Sequence, residues 1–561
     1  MIDQNQVIGY VVGGGLKESF RVRLTIDPLT VQEGAFVVIE SGDFQFYGLV
    51  TDLQLGATDP RFADEQSETR LPPALAKALH GQTLFTNLEV LPALMLERGP
   101  EPGTPAYDVW VKKIGNNTPR PLPVKTVPPH HALVRLANEG DISEIFGDPA
   151  ERSNFIIGYT REQGHPVCID LEKFVQRSSG VFGATGTGKS FLTRLLLAGL
   201  MKYDKASVLV YDMHNEYGYD DTASDSGLRV IGLKSKFASK LRVVGLGAGA
   251  KIRGSAPDFN LEIAETDIFT ADIELLAREL DLKETTSTTL DALWNSFRHA
   301  WYSEFKSMTQ EVITTEEGRK MPANGSVAAW ANANGVNVMA AEALHNKLRR
   351  LFNKPYIVPK PAADSIKEII SSLDSGGHIV LSFGEFETDL DYLLVSNLLT
   401  RRLREAWEKK TNSYRTTGKD EPRQLVIVVE EAHKLLNREM AMQTTFATIA
   451  RELRKYYVTL LVIDQRPSQI YDEVMSQLGT RISGWLGDDD DIHAVLSGLS
   501  GREALRGMLA RLQPKEEVLL LGWGVPMPLP VKSRRYDEEF WKELLGGGKR
   551  SKDQNLKELG F

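Results

Sequence analysis

The chain has 561 residues, 42% hydrophobic and 25% charged, with a formal net charge of −9 and one cysteine, Cys168. These values exclude a single hydrophobic core, an internal disulfide and a disordered or low-complexity chain; two or three domains in a reducing cytoplasm are expected. The acidic balance argues against a simple nucleic-acid coat, although a ring with a basic channel and an acidic rim is acidic overall. "MIDQNQVIGY" lacks the basic-then-apolar pattern of a signal peptide, and no uncharged apolar run reaches the roughly 18 residues that span a bilayer, so no membrane segment is expected.

Residues 1–115 read as short β-branched and aromatic strands ("YVVGGG", "SFRVRLTI", "AFVVIESGDFQFYGLVTDLQL", "LFTNLEVL") divided by Gly, Asp and Pro, the pattern of a small barrel. "NNTPRPLPVKTVPPHH" is proline-punctuated, so 116–150 reads as a linker and lead-in. From 151 the chain alternates buried strands with helical stretches, which predicts a parallel α/β core over 151–254 and again over 376–535. Between them, 255–375 reads as an inserted helical subdomain. The segment 536–561 reads as a charged, loose or docking tail.

"VFGATGTGKSFLTRLL" (Val181–Leu196) ends a strand in a glycine-rich loop and restarts as a helix. Gly183, Gly188, Lys189 and Ser190 fit G-x-x-x-x-G-K-[ST]. Glycines let successive N–H groups turn toward phosphate oxygens, the helix N-terminus adds positive potential, Lys189 reaches the β- and γ-phosphates, and the Ser190 hydroxyl can ligate Mg²⁺. The expected nucleotide-binding residues are Gly183, Ala184, Thr185, Gly186, Thr187, Gly188, Lys189, Ser190 and Phe191, with ATP and Mg²⁺ as cofactors. Helical spacing places Phe191, Leu192, Leu195, Leu196 and Met201 near one side of the helix.

"LVIVVEEAHKLL" ends a buried strand in two acids. Glu430 is expected to hold the metal and Glu431 to polarise the attacking water as general base. His433 is either a helix-start residue or a direct participant. "VTLLVIDQRPSQI" ends in Asp464-Gln465-Arg466-Pro467, and Gln465 is expected to sense the γ-phosphate. "IARELRKYY" puts Arg451 and Arg454 three apart: either a solvated basic face or, in a ring, a source of an arginine completing a neighbour's site, Arg454 ahead of Arg451. Asp212, His214, Glu216 and Tyr217 in "YDMHNEYGY" suit a polar network beside the nucleotide better than a metal site. The basic runs 347–360 and 400–410 are solvated helix faces or nucleic-acid contacts.

In this order, "GATGTGKS", "YDMHNEYG", "VVEEAHKLL", "IARELRKYY" and "IDQRPSQI…SQLGTRI" resemble the HerA family of hexameric DNA translocases, within the HerA/FtsK group of RecA-like ATPases. The N-terminal strands resemble the small HAS-type barrel which that family places ahead of its motor. Two positions depart from the family pattern: Leu453 stands where glycine is usual and should stiffen the helix. Asn215 stands where glycine is common, at a position that needs φ > 0, which asparagine tolerates. The resemblance implies a RecA-like α/β phosphate-loop core with a barrel and an inserted helical subdomain. It further implies a homohexamer with ATP sites between subunits, double-stranded DNA through the centre, and a nuclease or other effector on the barrel face, in end processing or anti-phage defence. The rival expectations are an ATP-gated scaffold for an effector nuclease and a motor acting on peptide or protein.

Overall fold

The computed structural model describes residues 6–546 except 17, 59–83, 101–102, 115–119, 223–226, 228, 315–318, 441–443 and 500. The charged tail from 547 onward therefore lies outside the described residues.

The first strands are β1 (Val7–Gly14), β2 (Phe20–Leu24), β3 (Phe36–Ser41), β4 (Phe44–Ala57), β5 (Leu84–Glu97) and β6 (Leu133–Leu136). They pair in the order β2-β1-β6-β3-β4-β5, and β5 returns to β2, so the ring closes as a six-stranded antiparallel barrel without free edges. Its closing strand β6 lies downstream of the proline-rich segment read as linker. Four residues behind a proline run carry too little pattern to announce a strand, and only the ring's unpaired edges fix where they go.

The apolar run of β3 is buried on both faces. Val37 and Ile39 face the barrel interior with Phe46 and Val50, whereas Phe36 and Val38 join Tyr47 and Leu49 in the main core. One wall of the barrel is thus also a wall of the larger domain, which explains why "FVVI" does not alternate.

The larger domain is built on β7 (Asn154–Tyr159), β8 (Pro166–Asp170), β9 (Ser179–Phe182), β10 (Ser207–Asp212), β11 (Leu241–Leu246), β12 (Phe259–Leu261), β13 (His378–Ser382), β14 (Leu425–Val429), β15 (Val458–Asp464), β16 (Thr480–Ser483), β17 (Glu517–Gly522) and β18 (Leu529–Ser533). Their order is β12-β11-β13-β10-β14-β15-β9-β16-β17-β18-β7-β8. Pairings from β12 to β16 are parallel, and those from β16 to β8 are antiparallel. The central strands β9, β10, β13, β14 and β15 are buried throughout, as a sheet covered on both faces requires.

The helix after β9, Lys189–Lys202, is buried on every side from Leu192 to Met201. A one-sided helix was expected. The far side is covered by a C-terminal helix, Glu538–Leu545, whose Phe540, Trp541 and Leu544 are buried. Phe191 is the exception: its ring is 39% exposed, on the rim and not in the core. Between β12 and β13 lie the helices Thr286–Phe297, Trp301–Ser307, Val327–Ala333, Val338–Phe352 and Ser365–Asp374. A 29-residue helix, Asp389–Thr417, starts at a Thr388 cap and stops at left-handed Gly418.

Candidate active site

The phosphate loop joins β9 to the helix Lys189–Lys202. Gly183 sits at φ 151°, and a Cβ there would lie 2.5 Å from Thr187 Oγ1. Gly188 is left-handed at the helix N-cap, so these two positions accept glycine alone. The loop is fixed from outside by Ala184 N–H donating to Trp485 O (2.9 Å) and from inside by Thr187 Oγ1 donating to Ala184 O (2.8 Å). Lys189 Nζ donates to Gly183 O (2.7 Å) and Ala184 O (3.0 Å). Its ammonium thus lies on the loop's own carbonyls, beside the N–H groups that open the helix. Burial pulls Lys189 below the usual lysine range; Glu431, Asp464, Glu430 and Glu216 act in the opposite direction. The paired acids lie on the lysine's edge of the sheet, because the strands that carry the loop and the acids end in register.

The parallel register aligns that edge. Phe182 pairs with Asp464, and Val429 pairs with Val462, so β9, β14 and β15 end together at the loop. Gln465 bridges them. Thr185 Oγ1 donates to Gln465 Oε1 (2.6 Å), and Gln465 Nε2 donates to the Glu431 carboxylate (3.1 Å). One amide thus connects the phosphate loop to the second acid. Glu431 has φ 46°, a left-handed conformation that a non-glycine residue adopts at a cost of about 1–3 kcal/mol. The turn aims its carboxylate at Gln465 instead of continuing the strand.

Glu430 has a different environment. It is buried, its Oε1 accepts from Tyr217 Oη (2.6 Å), and its backbone carbonyl accepts from Tyr392 Oη (2.8 Å). Its Oε2 is buried without a partner. Burial and the neighbouring Asp212 push the Glu430 carboxyl well above the usual range. Asp212, also fully buried, is raised to about 6, chiefly by burial, although it accepts from the Glu216 N–H (2.7 Å) and the Tyr217 N–H (3.0 Å).

Mg²⁺ is implied by this fold class, and the donor set fits it. Glu430 presents a buried carboxylate oxygen that nothing else satisfies, Ser190 offers a hydroxyl at the helix start, and one or two protein oxygens beside substrate phosphates suit this ion. Among the described residues no three His, Cys, Asp or Glu side chains gather as a self-sufficient metal site.

The sequence reading passed over several residues. Asp464 is buried; it accepts from the His433 backbone N–H (2.7 Å) and contacts its Nδ1 (2.9 Å). The His433 Nε2 lies 3.8 Å from Glu431, and the hydrogen bond to Asp464 holds the imidazole above its ordinary pKa. His433 is therefore part of the acid cluster. Arg194, buried one turn and a half into the helix, donates to Glu216 O (2.6 Å) and lies over the Tyr217 ring. An arginine on a leucine-rich helix, aligned with the acids after β10, is the signal that could have found it.

In the "YDMHNEYGY" stretch, Asp212, Glu216 and Tyr217 form the network around Glu430, while His214 is exposed. Asn215 has φ 57°; its amide bonds Gly384 N–H (3.0 Å) and Gly384 O (3.2 Å), lacing the loops after β10 and β13. The "IARELRKYY" stretch is not one helix. It runs as α-helix over Thr445–Glu452, tightens to a 3₁₀ turn over Leu453–Tyr456, and carries Arg454 exposed. The side chains of Arg451 and Leu453 lie outside the described residues. Much of the charge in the two basic runs is paired: Lys354 with Asp391 (2.7 Å), Arg401 with Asp272 (3.0 Å) and Arg404 with Glu408 (2.7 Å).

A glycine loop between strand and helix, acids at two neighbouring strand ends and an amide spanning the gap define a RecA-like phosphate-loop ATPase. The family model described as "Helicase HerA, central domain" matches residues 155–403. The "DNA double-strand break repair helicase HerA" of Sulfurisphaera tokodaii is 24% identical, with 95% of this chain and 93% of that protein covered. Its counterpart in Sulfolobus acidocaldarius is 23% identical over 98% of each. Among solved structures, the plasmid coupling protein TrwB in complex with a non-hydrolysable ATP analogue aligns at TM-score 0.45 and 13% identity, covering 71% of this chain and 93% of that one. The match over residues 155–403 and the similarity to HerA helicases over nearly the whole chain support a HerA-family ATPase.

Proposed function

We propose that this ATPase couples hydrolysis to movement along double-stranded DNA as a homohexameric ring, with a nuclease or other effector seated on the barrel face in end processing or anti-phage defence. The names of the relatives, DNA double-strand break repair helicases matched over nearly the whole chain, support DNA as the substrate. The Thr185–Gln465–Glu431 relay carries the motor reading, because it ties the loop that meets phosphate to the acid positioned to act on water.

In this reading the loop N–H groups and Lys189 bind the triphosphate, the ammonium exchanging the carbonyls of Gly183 and Ala184 for phosphate oxygens. Glu430 and Ser190 would hold Mg²⁺, which supplies charge neutralisation on the phosphates. Glu431 accepts a proton from water at its carboxylate, and Gln465 orients that carboxylate and reports the γ-phosphate to β15. Arg454, exposed at the 3₁₀ turn, completes a neighbour's site, and Arg451 on the preceding helix is the second candidate. Among the described residues no helix is long and apolar enough to cross a membrane.

The test is hydrolysis with and without duplex DNA at low salt. DNA should stimulate turnover of the wild type, and Glu431→Gln should bind ATP while losing turnover a hundredfold or more, the usual yield of a positioned base. A rate indifferent to DNA, or an unimpaired Glu431→Gln enzyme, refutes the reading. Effector activity that survives in Glu431→Gln favours an ATP-gated scaffold.

A further inference from the structure

The turn Pro514–Glu516, between the helix Arg502–Ala510 and β17, lies against the phosphate loop. A Cβ built on Gly188, the glycine that opens the phosphate-loop helix, would lie 3.7 Å from the Cα of Lys515, the nearest atom outside its own stretch of chain. Lys515 has φ 69°, a conformation that costs a long side chain energy and that glycine would adopt freely. It is exposed, two residues before the buried Glu517.

This placement is enforced from both ends. On one side Trp485 takes the Ala184 N–H on its carbonyl and donates its indole N–H to Ala510 O (3.0 Å), joining loop and helix end. On the other, Glu517 Oε2 accepts from Gln513 N–H (2.9 Å) and from Arg161 Nη2 (2.8 Å). Arg161 Nη1 also donates to Glu33 O (2.9 Å) in the barrel, and Glu33 pairs with Arg511 Nε (2.7 Å). The turn is therefore fastened to the phosphate loop, the sheet and the barrel at once.

We propose that Lys515 is a second cationic contact for the nucleotide's di- or triphosphate, and that its turn is the strap through which nucleotide occupancy reaches the barrel. The proposal rests on the nucleotide reading of the loop. A left-handed backbone beside Gly188 brings the strap's Cα to the phosphate loop, within a lysine side chain's reach of any anion bound at the helix N-terminus. An ammonium on a flexible stem suits phosphate as a point charge. The same strap ends in the Glu517–Arg161–Glu33 links, so a pull on Lys515 is felt at the barrel wall.

The experiment measures ATP, ADP and AMP affinity for the full chain by fluorescent-nucleotide displacement at two salt concentrations. Lys515→Gln should weaken ATP and ADP about tenfold or more, the loss expected for a charged hydrogen bond, with a shallower salt dependence, and leave AMP unchanged; Lys515→Arg should restore both. Lys515→Gly separates charge from backbone: it should raise the melting temperature by relieving the left-handed residue and still show the affinity loss. Wild-type affinity in Lys515→Gln and Lys515→Gly, with binding abolished in Lys189→Ala, overturns the proposal and leaves the site intact. Undiminished binding in Lys189→Ala instead overturns the nucleotide reading beneath it.

Discussion

The catalytic edge of the sheet and the helical region between β12 and β13 treat charge in opposite ways. At the edge, Glu430 keeps a buried oxygen without a partner, Glu431 is held left-handed, and Lys189 is pulled below its ordinary range. In the helical region and the long helix Asp389–Thr417 packed on it, Lys306 pairs with buried Glu265 (2.6 Å), Arg401 with Asp272, and Lys354 with Asp391. Opposite charges paired within the chain hold helices in place, whereas the unpartnered oxygen of Glu430 stands beside the phosphate loop, where a ligand can supply its partner. Substitutions in the two regions should accordingly separate stability from turnover.

The largest effect on stability is expected at Asp391. It is fully buried and accepts from Lys354 Nζ (2.8 Å), Tyr356 Oη (2.5 Å) and Thr388 Oγ1 (2.5 Å). Asp391→Ala strands Lys354 and Tyr356, at about 3–5 kcal/mol for breaking a buried pair. Urea unfolding should show this loss, with hydrolysis per folded molecule near wild type. A stable variant with lost turnover would erase the contrast between the regions.

Asp272 sharpens it through pH. Burial raises this carboxyl from 3.8 to about 6 despite Arg401 beside it. Between those values the folded chain holds a proton that the unfolded chain has released. Stability therefore falls as pH rises through this window and is level above it, by up to roughly 3 kcal/mol for a shift of this size. Asp272→Asn should flatten that slope in denaturant midpoints measured across the window. An unchanged slope would mean that Arg401 outweighs burial.

At the catalytic edge the counterpart is Tyr217→Phe. It removes the hydroxyl that donates to the buried Glu430 and should reduce kcat about tenfold, with a loss of stability of about 1–3 kcal/mol for the stranded acceptor. A turnover equal to wild type would show that the network around Glu430 only packs.

The two regions also differ in how far the sequence revealed them. The phosphate loop, the acids after β14 and Gln465 are short local patterns at strand ends, and chemistry at one strand end is written in adjacent residues. The Tyr217–Glu430 and Asp464–His433 bonds join residues far apart along the chain, and they follow only from the parallel register that aligns the ends of β10, β14 and β15. Closure of the barrel by Leu133–Leu136 and burial of the far side of the Lys189–Lys202 helix are of the same kind. Each is decided by what another segment covers, not by local composition.

The smallest effect tests the basic run 400–410, which reads as a solvated helix face with nucleic-acid contact as the alternative. Arg404 and Glu408 pair at i,i+4 on a partly exposed helix face, and such a pair is worth a few tenths of a kcal/mol. Because Glu408 already meets Arg404, the pair has little charge to offer a phosphate. Arg404→Ala should leave the melting temperature within error and leave the salt dependence of duplex DNA binding unchanged. A phosphate contact would instead reduce the slope of log affinity against log salt by about one. That outcome would make this helix face a DNA surface, with Arg404 exchanging Glu408 for the backbone when DNA arrives, and it would break the rule that matched charges here serve only the fold.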